Sequence, residues 1–197
     1  MPKIFALRND YTKYQDLKLG IRDLARKCPD NIPLDDVNKF SQRNTALASW
    51  WPTPETRFIK NEGFNKAQIP DIARWTKGTL VLSPKSYRLL GDLLQQSGEL
   101  LPVMIGPDTY YIYNCHVFGE EDKHQTRFSY IDDQPFELLE LAFTEEASKQ
   151  LLFKSKAQNC VTLYCNAQFK QLIQEYELNG LTFDEELLLN PQIRNNL

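Results

Sequence analysis

The sequence is poor in the residues that most protein chemistry needs. It has two histidines, His116 and His124, and four cysteines, Cys28, Cys115, Cys160 and Cys165, with no CxxC spacing among them. That pattern gives no zinc ribbon and no thioredoxin-type motif, and it suits small core cysteines. A metal site would need the two histidines to converge with Cys115 or Asp122. No GxGxxG, no GxxxxGK[ST] and no GxSxG occurs, so the short signatures of dinucleotide, phosphate-loop and nucleophile-elbow chemistry are missing. Cys115 and His116 cannot serve as nucleophile and base, because neighbours on a strand face opposite sides. The longest apolar run, Leu100–Ile105, is broken by Pro102 and is far short of the roughly 20 residues that span a bilayer. The N-terminus, MPKIFALRND, offers four apolar residues after one lysine, too few for a secretory signal. The expectation is a cytoplasmic protein with no catalytic residue, no cofactor, no metal and no membrane partner.

Charge of one sign is also scarce overall, with a net value of −3, which argues against nucleic acid as a partner, since phosphate binding needs a basic surface. The small total conceals an imbalance. Between Gly119 and Glu146 there are nine acids against Lys123 and Arg127, a local charge of −7. The first 67 residues carry twelve bases and eight acids. Such asymmetry reads either as a solvated loop face or as a surface that meets a basic protein partner. Glu120, Glu121, Asp122, Asp132 and Asp133 are its candidate contact residues. The adjacent pairs Glu120-Glu121 and Asp132-Asp133 read as surface rather than as acid and base partners. Trp50 and Trp51 either cover the edge of the core or serve as a candidate apolar anchor, since exposed tryptophan is enriched at binding hot spots. Adjacent tryptophans on a strand cannot both face one core, so one is expected to be partly exposed.

What the chain does have is a short pattern written twice. Leu80–Gly98 reads LVLSPKSYRLLGDLLQQSG, and Thr162–Gly180 reads TLYCNAQFKQLIQEYELNG. Each begins with an apolar run that reads as a strand. Ser83 followed by Pro84, and Asn166, then supply helix starts, because each side chain can accept from an orphan amide of the first turn. Tyr87, Leu90, Leu93 and Leu94 form one helical face, and Phe169, Leu172, Ile173 and Tyr176 form the other. These helices are predicted to reach about Gln96 and Leu178, with Gly98 and Asn179-Gly180 as their terminal residues. Strands are predicted at Lys3–Leu7, Leu100–Val103, Tyr110–Cys115 and Leu181–Phe183, with a turn at Gly106-Pro107-Asp108. An imperfect helical stripe covers Tyr14–Lys27. Residues 29–70 hold five of the eleven prolines and read as loop-rich. The result is an α+β domain with a mixed or antiparallel sheet and two or more amphipathic helices, including two similar strand–helix–turn units. Residues 1–67 form its loop-rich N-terminal part and residues 68–197 its core.

The order of these pieces resembles a known family. Trp50-Trp51-Pro52, Pro70-Asp71, TLVLSPKSYRLL, GELLPV, YYIYNC and TLYCNAQFKQLIQEYELNGLTF follow one another as in the eleventh class of bacterial immunity proteins, formerly a domain of unknown function. The resemblance covers about residues 45 to 186. It implies an immunity protein of a polymorphic-toxin system, which binds and neutralises a cognate toxin or secreted effector in the cytoplasm. It carries no catalytic residues over, and Ser83, Gly98, Pro102 and Gly180 match it as fold determinants. Two other classes remain open from the residues alone. One is a small hydrolase-like enzyme with converging carboxylates. The other is an adaptor in a secretion or phage cluster. The oligomeric state is left open.

Overall fold

The computed structural model of the protein describes residues 3–188. The chain opens with β1 (Ile4–Asn9) and β2 (Asp16–Leu17), then α1 (Ile21–Ala25), α2 (Leu34–Asn38) and α3 (Phe40–Arg43). β3 (Glu55–Thr56), β4 (Phe58–Ile59) and β5 (Ile72–Arg74) lead to β6 (Thr79–Leu82), α4 (Pro84–Leu94), β7 (Gly98–Ile105) and β8 (Asp108–Cys115). β9 (Arg127–Ile131), β10 (Gln134–Glu140), α5 (Glu145–Ser148), β11 (Leu152–Lys154), β12 (Leu163–Asn166), α6 (Ala167–Glu175) and β13 (Leu181–Asp184) complete it. The fold is α+β. A mixed five-stranded sheet runs β3-β7-β8-β6-β5, and an antiparallel four-stranded sheet runs β11-β12-β1-β13.

Period-two alternation explains how these strands are buried. On β8, Tyr113 and Cys115 join one core while Tyr110 and Ile112 join another. On β6, Leu80 and Leu82 face the first core and Val81 the second. The central sheet is therefore covered on both faces. The first core also takes Phe5 and Leu7 of β1, Leu163 and Cys165 of β12, and both amphipathic helices through Leu90, Leu94, Phe169 and Ile173. The other face of the four-stranded sheet feeds a third core around Phe153 and Tyr164.

Both strand–helix units form as expected. The Ser83 hydroxyl accepts from the Ser86 amide at 3.2 Å with Pro84 in the first turn, and the Asn166 carbonyl oxygen of the side chain accepts from Phe169 at 3.0 Å. The two units are joined at their ends. The Asp71 amide donates to the Asn179 side chain at 3.0 Å, and the Asn179 amide returns a bond to the Asp71 carboxylate at 3.1 Å. The Asp71 carbonyl takes both the Ser83 amide and the Ser86 hydroxyl. Gly180 sits against this joint with φ +118°, and a Cβ there would lie 2.2 Å from the Ile72 carbonyl oxygen.

Three boundaries differ from expectation. The stripe over Tyr14–Lys27 is helical only at Ile21–Ala25, while Asp16 and Leu17 pair with β4. Gly20 interrupts the stripe in extended conformation at the helix N-cap, where its low helical propensity favours a break. Gly98 is not a left-handed helix terminus; it is the first residue of β7. Its requirement is space, because a Cβ would meet the Asn114 carbonyl oxygen at 2.3 Å. α6 ends at Glu175, short of Leu178, because Glu177 takes the left-handed conformation (φ 50°) and the Leu178 amide bonds back to Ile173. This closure buries Leu178 in the first core, as in a Schellman-type stop. β1, in the N-terminal part, lies inside the sheet formed by the last strands. Residues 189–197, the end of the second part, lie outside the described residues.

Removing the cap by Ser83→Ala should cost about 1 kcal/mol in urea unfolding. Gly180→Ala should cost more, since it combines a positive φ with a backbone clash. Equal midpoints for both variants and the parent would remove the joint from this account.

Candidate partner-binding surface

The acid-rich segment folds into a hairpin that pairs with no other strand among the described residues. Its base is fixed. The Asp122 amide donates to Ala142 at 2.9 Å, the Thr144 amide donates to Glu120 at 3.0 Å, and Phe143 packs edge-on against Phe153 and Tyr164 in the third core. Its tip is Asp132-Asp133, both at positive φ (49° and 60°), as a two-residue turn of type I′ requires. Two register shifts on β10 leave Phe136 and Leu139 without a partner residue on β9. Bulges of this kind re-aim side chains.

The body of the hairpin is apolar and open. Tyr130 is 62% exposed, Ile131 53%, Phe136 69% and Leu139 53%. Beneath it, Phe128, Phe136 and Leu138 form one wall of a cleft that Lys156, Gln158 and Val161 close on the other side. Sequence reasoning missed these residues. The available signal was an apolar run on each side of Asp132-Asp133, RFSYI and QPFELLEL, which is how a short hairpin reads.

The candidate acids divide by place. Asp132 and Asp133 are exposed at the tip, and Glu120 is exposed at the base. Residues 121–131 lie between the two positions, and β9 alone spans roughly 17 Å at strand rise. Glu121 is turned inward, where its carboxylate accepts from the Ser155 hydroxyl at 2.8 Å and the Ala157 amide at 3.1 Å. Asp122 accepts from the amides of His124 and Gln125, and these bonds lower its pKa. Beside the tip acids, Glu137 is exposed, and Glu140 pairs with Arg127. Trp50 and Trp51 are half-buried and pack on the second core, with the Trp51 indole N–H donating to Pro102 at 2.7 Å. They lie in a turn rather than a strand, which is how both reach the same core.

Polar groups elsewhere are used in construction. Cys115 is buried and directs its thiol at the Leu152 carbonyl, whereas the His116 ring meets Asn114 and Glu99. Glu99 collects the amides of Leu47 and Ala48 and the Asn114 side chain. Burial opposes its charge, but His116, Asn114 and the two amides together hold its pKa below the usual glutamate value. No group of three potential metal ligands comes together among the described residues, and no helix there is long and apolar enough to cross a membrane. No protein-family model matches the chain, and no curated protein matches it.

Two outcomes follow. A carboxylate whose pKa is depressed by folding stabilises above its unfolded value and loses that contribution as pH falls through the folded one. Glu99→Gln should therefore lower stability at neutral pH and flatten the fall in stability between about pH 5 and pH 3, followed by urea unfolding across that window. In contrast, Phe136→Ser should leave the unfolding free energy within about 0.5 kcal/mol of the parent, because Phe136 is 69% exposed. A large loss would mean the hairpin is structural.

Proposed function

We propose that this protein is an immunity protein that binds one cognate toxin or effector and neutralises it by occupying its surface. The observation that carries the reading is the hairpin. Four large apolar side chains are more than half exposed on one hairpin, which marks an interaction surface far more often than it marks a fold requirement. The acids around them select the partner. Exposed carboxylates at the tip and base favour a basic surface and speed its approach, while apolar contact supplies affinity. The sequence resemblance to immunity proteins of toxin systems supports the same reading and gives the cytoplasm as its place of action. Asp132, Asp133 and Glu120 are the charged contacts of this reading, with Tyr130 and Phe136 as apolar anchors. Glu121 serves the hairpin base, and Trp50 and Trp51 serve the second core.

The test is a calorimetric titration against the product of the adjacent gene, with rescue of growth on co-expression. A one-to-one complex of nanomolar or tighter affinity that restores growth is expected. Neutralising the tip by Asp132→Asn, Asp133→Asn and Glu137→Gln keeps residues that tolerate the turn and should slow association about tenfold at low salt. Absence of both heat and rescue would overturn the reading.

A further inference from the structure

The two edges of the hairpin are built differently. β10 is poorly suited to receive another strand. It carries Pro135, two register shifts and the acids Glu137 and Glu140, all devices that blunt an edge against further pairing. β9 has no proline, no acid and no shift, and its one charged residue, Arg127, is paired across the hairpin with Glu140. It reads RFSYI, runs without a shift, and is rich in strand-forming residues. Among the described residues, no backbone hydrogen bond reaches β9 from anything but β10.

The register says which groups are free. Ile131 and Gln134 flank the two-residue turn, so they form the hydrogen-bonded pair that closes such a hairpin. Alternation along an antiparallel ladder then directs the N–H and C=O of Tyr130 and Phe128 away from β10. Pro135, which has no N–H to give, stands opposite Tyr130, where β10 also faces outward. The edge is thus an unused ladder with its side chains already placed.

We infer that β9 accepts an extended segment of the partner as a third strand, and that this segment alternates basic and apolar residues. The inference rests on the toxin-binding reading for the identity of the partner, but not for the edge itself. Asp132 and Asp133 at the tip end attract lysine or arginine on the added strand. The exposed Tyr130 and Ile131 offer apolar contact on either face. A second copy of this chain fits poorly, because it would bring two segments of −7 together. Main-chain pairing supplies affinity in such additions, and alternate side chains supply specificity.

The experiment uses the full chain and a peptide of about eight residues alternating lysine with valine or threonine, long enough to cover β9. Backbone amide exchange is followed by NMR. The amides of Tyr130 and Phe128 should exchange freely in the protein alone and slow by at least about tenfold with saturating peptide, as pairing protects them. Ser129 and Ile131, already facing β10, should change little. The same peptide N-methylated at alternate positions should lose this binding. Three results would overturn the inference. The first is slow exchange of Tyr130 and Phe128 before peptide is added, whether from self-association seen in sedimentation or from the chain's own segments. The second is equal binding of the N-methylated peptide. The third is absence of binding by either. None of these bears on the calorimetric titration with the neighbouring gene product. A tight complex there with unprotected Tyr130 and Phe128 would keep the immunity reading and discard the added strand.

Discussion

The joint between Asp71 and Asn179 is the constraint on which the arrangement depends. The two strand–helix units are far apart in sequence, and each can bury only one face of its helix by itself. Their apolar faces meet in the first core, where Leu90 and Leu94 of one helix join Phe169 and Ile173 of the other. Burial alone is non-directional. Direction comes from the reciprocal bonds of Asp71 and Asn179, extended by Lys85, which donates to the Glu177 carbonyl at 2.9 Å. The same Asp71 carbonyl satisfies the start of α4. One loop residue thus caps the first helix and receives the end of the second, so the units cannot slide without leaving buried polar groups unpaired.

A second fixture holds the N-terminal part. Lys154 is fully buried and donates to the Ser41 carbonyl and the Asn44 side chain, both at 2.6 Å. Burial lowers its pKa, so charge is disfavoured there, and the two oxygen acceptors together with the Phe118 ring at 4.9 Å offset part of that cost. Asn44 reaches the same place through a left-handed backbone (φ 53°) and donates onward to His116. With Glu99 binding the Leu47 and Ala48 amides, a segment of short helices and loops is pinned by polar bonds as well as by Phe40 and Leu47 in the second core.

What could be read from the sequence follows the same division. The helix starts at Ser83 and Asn166 were legible because capping is local chemistry. The alternation of β8 was legible because both its faces are buried, and the α+β class followed from such elements. The role of Gly98 was not, since a need for space depends on Asn114, which only the fold brings near. The acids illustrate a second limit. Glu120, Glu121 and Asp122 look alike in sequence, yet Glu121 faces Ser155 and Ala157 while Glu120 faces water. Composition located the charged segment; only tertiary contacts sort its members. The hairpin is marked only by the apolar residues on each side of Asp132-Asp133, because they are not arranged for burial and follow no core-seeking pattern.

That misfit is informative. A strand pair that exposed Tyr130, Ile131, Phe136 and Leu139 without counter-measures would tend to self-associate. Here each counter-measure falls on a particular place. Like charge of −7 across the segment repels another copy, and the bulges and Pro135 disable one edge. Under the proposed reading, these devices leave the remaining edge to a partner of opposite charge. The anchor is equally selective, because Phe143 fixes the base in the third core while the tip and body contribute to no core. Stability and recognition are thus carried by different residues. The joint at Asp71 and the pin at Lys154 tolerate little change, whereas the hairpin surface contributes to no core and is free to vary, which is where the proposed immunity reading places partner specificity.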